Sequence, residues 1–358
     1  MYKFTFVIIL AISVLQTPFA QKLPDPTKFT LLPDSTLIRV AAGGQRFSGS
    51  LLVQKGDQVI ANQAFGLSDR EQKTSNRPDT RYKIASITKA FTAVLILQLY
   101  EQGKLDLGQS IGAYWPEYKG PGRDSVTLHQ LLTHSSGIQN CEAQGLDIYA
   151  QPHSSADILD KYCSGPLMNK PGSQFDYNNG DYMILGKIIE NIYKKTLAEV
   201  LQSRILKPAG MTNTEWYKTG KARTAKTFLY NDSLQTWQPD APFYIENYGA
   251  AGALCSTTAD LLKFSKALFW GTLLEAETCA LMTTPYPQFW NTAYGVWVSE
   301  KEYAGQTLKV VERYGSIQGA NTLLAYFPEK QLTLVLLANS DACNLGLLAD
   351  EIARILIP

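Results

Sequence analysis

From Ala90 to Leu99 the chain reads Ala-Phe-Thr-Ala-Val-Leu-Ile-Leu-Gln-Leu, apolar on nearly every side of a helix rather than along one stripe. A helix of that kind belongs in the interior, and the pattern stops near Gly103. At both ends of the chain the character changes. Phe47–Val53 and Asp57–Phe65 read as two strands, and the short Lys55-Gly56 connection predicts an antiparallel hairpin. Leu308–Val311, Thr322–Phe327 and Leu332–Leu337 are closely spaced apolar runs that predict further antiparallel strands, followed by a closing helix over Leu345–Ile357. A first regular element falls around Ser35 to Ala42.

Between these ends, from about Ser110 to Asp240, the pattern is helix-like with many loops and little alternation. It includes a short helix within Val126–His134 and a longer helical region from Tyr182 to Leu206 that stops at Pro208; a further helix follows at Thr258–Phe269. The fold class expected is α/β in the α+β sense. One antiparallel sheet draws on the N- and C-terminal segments, terminal helices flank it, and a mostly helical insertion over about residues 110–240 lies beside it. One domain spans residues 35–358.

The N-terminus stands apart. Met1-Tyr2-Lys3, an apolar run from Phe4 to Leu15 and the end at Thr17-Pro18-Phe19-Ala20 have the layout of a secretory signal peptide cut after Ala20, with a proline-containing leader over 21–34. Pro18 is an imperfect residue for that cleavage motif and leaves an uncleaved anchor open; the mature chain has no other stretch suited to a membrane span. The expected location is therefore outside the cytoplasm, periplasmic or extracellular. Lys plus Arg is 33 and Asp plus Glu is 32. That balance offers no basic surface for nucleic acid and leaves small molecules or peptides as substrates. Export makes a Cys141–Cys163 bridge across a polar loop possible, while the five cysteines can equally be small buried residues. The three histidines are too scattered for a metal cluster, and no cofactor is expected.

Three stretches carry candidate chemistry. Ser86-Ile87-Thr88-Lys89 places a hydroxyl and an ammonium at i and i+3, on one face at the head of the apolar helix. Burial there would lower the lysine pKa and make it a usable base for the serine. A Ser-x-x-Lys arises by chance about once in a chain of this length, so the pair alone decides nothing. Tyr177 and Asn179, two residues apart in a turn-rich loop opening onto a helix, could place a proton carrier and an amide on one wall of a cleft. Glu312-Arg313-Tyr314-Gly315-Ser316 ends a strand, where a cation could bind a substrate carboxylate and backbone N–H groups near Gly315 could face an oxyanion.

With the flanking Leu131–Gly137, Pro171-Gly172, Gly252, Ser256-Thr257 and Ala325–Pro328, the chain resembles the serine β-lactamase and penicillin-binding protein family over about residues 35 to 355. The likeness is to the branch of class C β-lactamases, D-alanyl-D-alanine carboxypeptidases and esterases. It implies Ser86 as the acylated nucleophile, Lys89 and Tyr177 as a coupled base, Ser86 and Ser316 N–H groups as the oxyanion hole, and Asn179 and Arg313 as substrate-binding residues. Arg313 stands where lysine or histidine is usual, with Tyr314 where a small residue is common. Arginine keeps the charge and cannot share protons at neutral pH, which puts substrate choice in question more than the acyl-enzyme chemistry. Peptidase or esterase activity is favoured over efficient lactam hydrolysis. The rival reading is a ligand-binding or sensing relative that kept the cleft, against which the intact Ser86, Lys89 and Tyr177 argue. His134 is read as a packed residue beside the cleft, and Asp176 and Asp181 as turn and cap residues.

Overall fold

The computed structural model describes residues 34–143 and 145–357; the expected signal peptide and leader lie outside the described residues. Its main elements are α1 (Asp34–Gly44), β1 (Gly49–Lys55), β2 (Gln58–Phe65), α2 (Thr88–Glu101), α3 (Asn179–Tyr193), α4 (Thr258–Phe269), β3 (Trp297–Tyr303), β4 (Gln306–Ile317), β5 (Ala320–Phe327), β6 (Leu332–Ala338) and α5 (Leu345–Leu356). The six strands form one antiparallel sheet in the order β3-β4-β5-β6-β1-β2. The first strand of the chain thus lies beside the last, with Leu52 opposite Val335. The N- and C-terminal segments share one sheet, as the apolar pattern predicts.

Strand alternation sorts the side chains to two faces. Leu332, Leu334 and Leu336 join Leu51, Val53 and the helical residues Ile38, Leu348 and Ile352 in one core. Val335, Leu337 and Leu52 point the other way, into the larger core that contains α2. Every residue of α2 from Thr88 to Leu99 is buried, which explains why its sequence shows no polar stripe. Phe91 stacks on Phe264 of α4 at 3.9 Å and ties the two helices together.

Three local features add to the expected pattern. Strand β3 escaped notice because Glu300, Lys301 and Glu302 interrupt its apolar pattern. It is an edge strand, where charge guards an open row of backbone groups, and Lys301 meets Glu312 at 3.1 Å. The helical region expected from Tyr182 to Leu206 begins earlier, at Asn179, and is divided at Lys194, which adopts φ +54°. Thr196 and Glu199 then form a capping box that starts a new helix at Leu197. Finally, the mostly helical insertion also holds a short hairpin, in which Phe228–Asn231 pairs with Thr236–Pro239.

The two cores differ sharply from the surface in what they tolerate. Leu337→Ala in β6, where the side chain is fully buried, is expected to cost ~2–5 kcal/mol of unfolding free energy, whereas Leu347→Ala on the exposed side of α5 should stay within ~0.5 kcal/mol. Urea denaturation of both variants measures the contrast.

Candidate active site

Ser86 lies in a single 3-10 turn, Ala85–Ile87, just ahead of α2 rather than in its first turn. The preceding residue, Ala85, is held at φ +47°, a costly conformation for a residue with a side chain, and neighbouring strands hold it there. From β5, Thr322 Oγ1 donates to the Ile84 carbonyl at 3.0 Å; from β4, Arg313 Nε donates to the Ser86 carbonyl at 2.8 Å. The approach is so close that a Cβ on Gly315 would stand 2.4 Å from the Ile84 oxygen and 3.0 Å from the Ser86 nitrogen. Only glycine fits at that point of β4.

Lys89, in the first turn of α2, is completely buried and uses all three of its donors. They reach Ser86 Oγ at 3.1 Å, Asn179 Oδ1 at 2.6 Å and the Ala251 carbonyl at 2.8 Å. Tyr177 enters from the other side, positioned by the start of α3. Asn178, the N-cap of that helix, accepts from the Gly180 N–H, and Asn140 Nδ2 donates to the Tyr177 carbonyl at 3.0 Å. The phenolic oxygen lies 2.9 Å from Ser86 Oγ and accepts from Arg313 Nη2 at 3.0 Å.

The electrostatics follow from this packing. Burial lowers the Lys89 pKa to about 8, Arg313 pushing the same way and Tyr177 opposing. For Tyr177, burial acts to raise the phenol, but the Lys89 and Arg313 charges outweigh it and bring the value down to about 8. A phenol and an ammonium that titrate at similar pH, joined through one serine hydroxyl, can pass a proton between them. Among the described residues no group of three or more His, Cys, Asp or Glu side chains could hold a metal ion.

The structure brings all six residues singled out in the sequence to one cleft wall or its rim, with two in unexpected postures. Arg313 is 1% exposed, and its guanidinium lies 4.5 Å from the Trp297 ring centre while two of its nitrogens serve Ser86 and Tyr177. With Nε and Nη2 committed inside the protein, only Nη1 is left without a partner among the described residues, and the full fork is not offered to a substrate carboxylate. Asn179 is also committed at both ends, accepting from Lys89 and donating to Glu142 Oε1 at 2.8 Å. Tyr314 alternates to the opposite face of β4, toward Gly346 of α5. Ser316 is exposed beyond the last β3–β4 pair, Trp297 with Glu312. The two-residue turn makes Ile317 and Ala320 the hydrogen-bonded pair, so the Ser316 N–H points away from β5, one residue beyond the Gly315 position that abuts Ser86.

His134 packs behind Tyr177 with ring centres 4.4 Å apart and makes no hydrogen bond to Ser86. Its Nδ1 accepts from the Asn178 N–H at 3.3 Å and lies 3.4 Å from Asp181 Oδ2. Burial and the Lys89 and Arg313 charges hold the imidazole well below its usual pKa, while burial pushes the Asp181 carboxyl well above its own. Both shifts disfavour the charged forms across this 3.4 Å contact. Asp181 is accordingly not a cap residue but a buried partner of Ser136, at 2.6 Å. All five cysteines are free thiols, and Cys141 and Cys163 both pack against Gly180. Trp297, Glu142 and the Ala251 carbonyl were missed in the sequence, because no fixed spacing ties them to the motifs they touch.

A family model described as Beta-lactamase matches residues 34–356. A Bacillus subtilis protein named as a penicillin-binding protein, PbpX, is 28% identical over 315 residues, covering 87% of this chain and 75% of its own length. The crystal structure of a penicillin-binding protein from Bacillus halodurans superposes with a TM-score of 0.73 at 26% identity, covering 89% of this chain and 98% of that one. D-amino acid amidase from Ochrobactrum anthropi, at 22% identity, shares the fold with a TM-score of 0.79 over 90% of this chain and 98% of its own.

The buried phenol supplies a direct spectroscopic check. Among the 19 tyrosines, one should ionise near pH 8, and ultraviolet difference titration should lose that transition in Tyr177→Phe. Arg313→Gln removes a cation that favours the phenolate, so the same transition should move to higher pH.

Proposed function

The chain belongs to the Beta-lactamase family, and from that premise we propose that it is an exported serine hydrolase working through a covalent acyl-enzyme on an ester, amide or lactam carbonyl. The observation that carries the reading is the triangle around one oxygen: Ser86 Oγ stands 2.9 Å from the Tyr177 hydroxyl and 3.1 Å from Lys89 Nζ. The apolar run from Phe4 to Leu15, with a cleavage point after Ala20, supports export.

In the proposed reaction Ser86 Oγ attacks the carbonyl carbon as its proton passes to the Tyr177–Lys89 pair. The Ser86 and Ser316 N–H groups receive the oxyanion, a contribution of about 3 kcal/mol per donor. Tyr177 returns the proton to the leaving group, and the same phenolate then draws a proton from the water that hydrolyses the acyl-enzyme. Asn179 acts on Lys89, holding its ammonium toward Ser86. Arg313 acts on Tyr177 as a permanent counter-charge, since a guanidinium keeps its proton throughout the working pH range. A substrate carboxylate therefore gains little from Arg313. Peptidase and esterase substrates fit this cleft better than rapid lactam turnover, and the penicillin-binding names of relatives make a penicillin a sensible covalent probe.

Intact-mass analysis after incubation with a fluorescent penicillin and a panel of activated esters tests the mechanism. An adduct is expected on the wild type and absent from Ser86→Ala, and Tyr177→Phe should lose roughly 10²–10⁴-fold in acylation rate. No adduct and no turnover with any acyl donor would sink the reading. Arg313→Ala should weaken carboxylate-bearing and neutral esters to a similar degree and shift the rising limb of the pH–rate profile above pH 8. A selective loss on the carboxylate-bearing esters would return Arg313 to substrate binding.

A further inference from the structure

The Asn179 amide joins Lys89 to a carboxylate that the acyl-transfer steps do not use. Glu142 Oε1 accepts from Asn179 Nδ2 at 2.8 Å and from the Tyr149 hydroxyl at 2.6 Å. Among the described residues none donates to Oε2, and it is not one of their buried unpartnered atoms, so on this half-buried residue Oε2 is the oxygen left for an outside partner. The backbone on either side of the carboxylate is hydrogen-bonded into the site. The Glu142 N–H donates to Asn140 Oδ1 at 2.9 Å, and Asn140 in turn holds the Tyr177 carbonyl. One short segment therefore fixes both the phenol that meets Ser86 and the carboxylate beyond Asn179.

Aromatic faces complete the surroundings. Tyr149 stacks on Tyr248 at 3.7 Å with an interplanar angle of 7°, and Tyr248 packs over Gly252, next to the Ala251 carbonyl that binds Lys89. The stacked, buried rings back the carboxylate with apolar surface on one side, and a carboxylate oxygen so held suits a cation through a charge-assisted hydrogen bond. The two internal cations cannot serve as its occupant, since Lys89 has spent all its donors and Arg313 is tied to Ser86 and Tyr177.

We propose that Glu142 is the receptor for a substrate ammonium close to the scissile carbonyl, so that the preferred acyl donors are amides or esters whose acyl part carries a free primary amine. The proposal rests on the acyl-transfer reading above. A carboxylate in that place would repel acidic acyl groups, and an amine acylated or absent would forgo the contact.

The test compares alanine p-nitroanilide, in both enantiomers, with propionyl p-nitroanilide, which differs only by lacking the amine. The readout is the ratio of their kcat/KM values in the full chain and in Glu142→Gln, which keeps an oxygen for Asn179 and Tyr149 but loses the charge. The ratio is expected to fall at least tenfold in Glu142→Gln, mainly through KM, and to be largely kept in Glu142→Asp. An unchanged ratio, or equal falls in the Gln and Asp variants, would overturn the proposal. So would a wild type that cleaves the propionyl compound in preference to both alanyl ones, an outcome that leaves the acyl-transfer mechanism standing. Failure of the wild type on every anilide, with no Ser86 adduct from activated esters, would remove that mechanism and this inference with it. If Glu142→Gln does not fold by circular dichroism, wild-type preference together with Glu142→Asp decides.

Discussion

A buried phenol between two buried cations is the arrangement on which this site depends. Taken alone, burial would make Tyr177 a weaker acid than tyrosine in water, and the same burial would strip Lys89 of its proton. Placed together they correct one another. The Lys89 and Arg313 charges make the phenolate accessible near pH 8, and the phenolate in turn keeps Lys89 from falling further. The serine hydroxyl sits at the junction and inherits a base that needs no histidine.

Such a junction tolerates little positional error, and the sheet supplies the precision. β4 reaches the Ser86 turn through Gly315 with no room for a side chain, while Thr322 and Arg313 pin the carbonyls on either side of Ala85. Because β6 and β1 join the two ends of the chain across the middle of the sheet, both early and late parts of the sequence must be in place before Ser86 meets its partners. Strain at Ala85 is held by packing rather than by its own preference.

Buried groups back the charged ones. His134 lies directly behind Tyr177 with Asp181 beyond it, and a charge on the imidazole would disturb the phenol at short range; burial disfavours the charged form of both. On the remaining side Glu142 lies one amide away from Lys89, which gives the cleft one accessible carboxylate and an arginine turned inward. The polarity offered to a substrate is thus the reverse of what a third-motif arginine suggests in isolation.

What the sequence by itself determined follows from local periodicity and fixed spacing. The hairpin at Gly56, the C-terminal strands, the wholly apolar α2 and the i, i+3 relation of Ser86 and Lys89 are each set by neighbours within a few residues. The family resemblance added the pairing of those motifs into one site. Tertiary structure decided the rest, because it concerns contacts between distant segments. Arg313 is held toward Tyr177 by the Ser86 carbonyl and the Tyr177 hydroxyl and by Trp297, which lies against it from an edge strand whose charges hide its pattern. Asn179 faces Lys89 and Glu142, 90 and 37 residues away, and no spacing rule joins those three. Whether a polar side chain meets a substrate or another side chain is settled by which partner the fold brings within hydrogen-bond reach, and linear sequence holds no direct record of that distance.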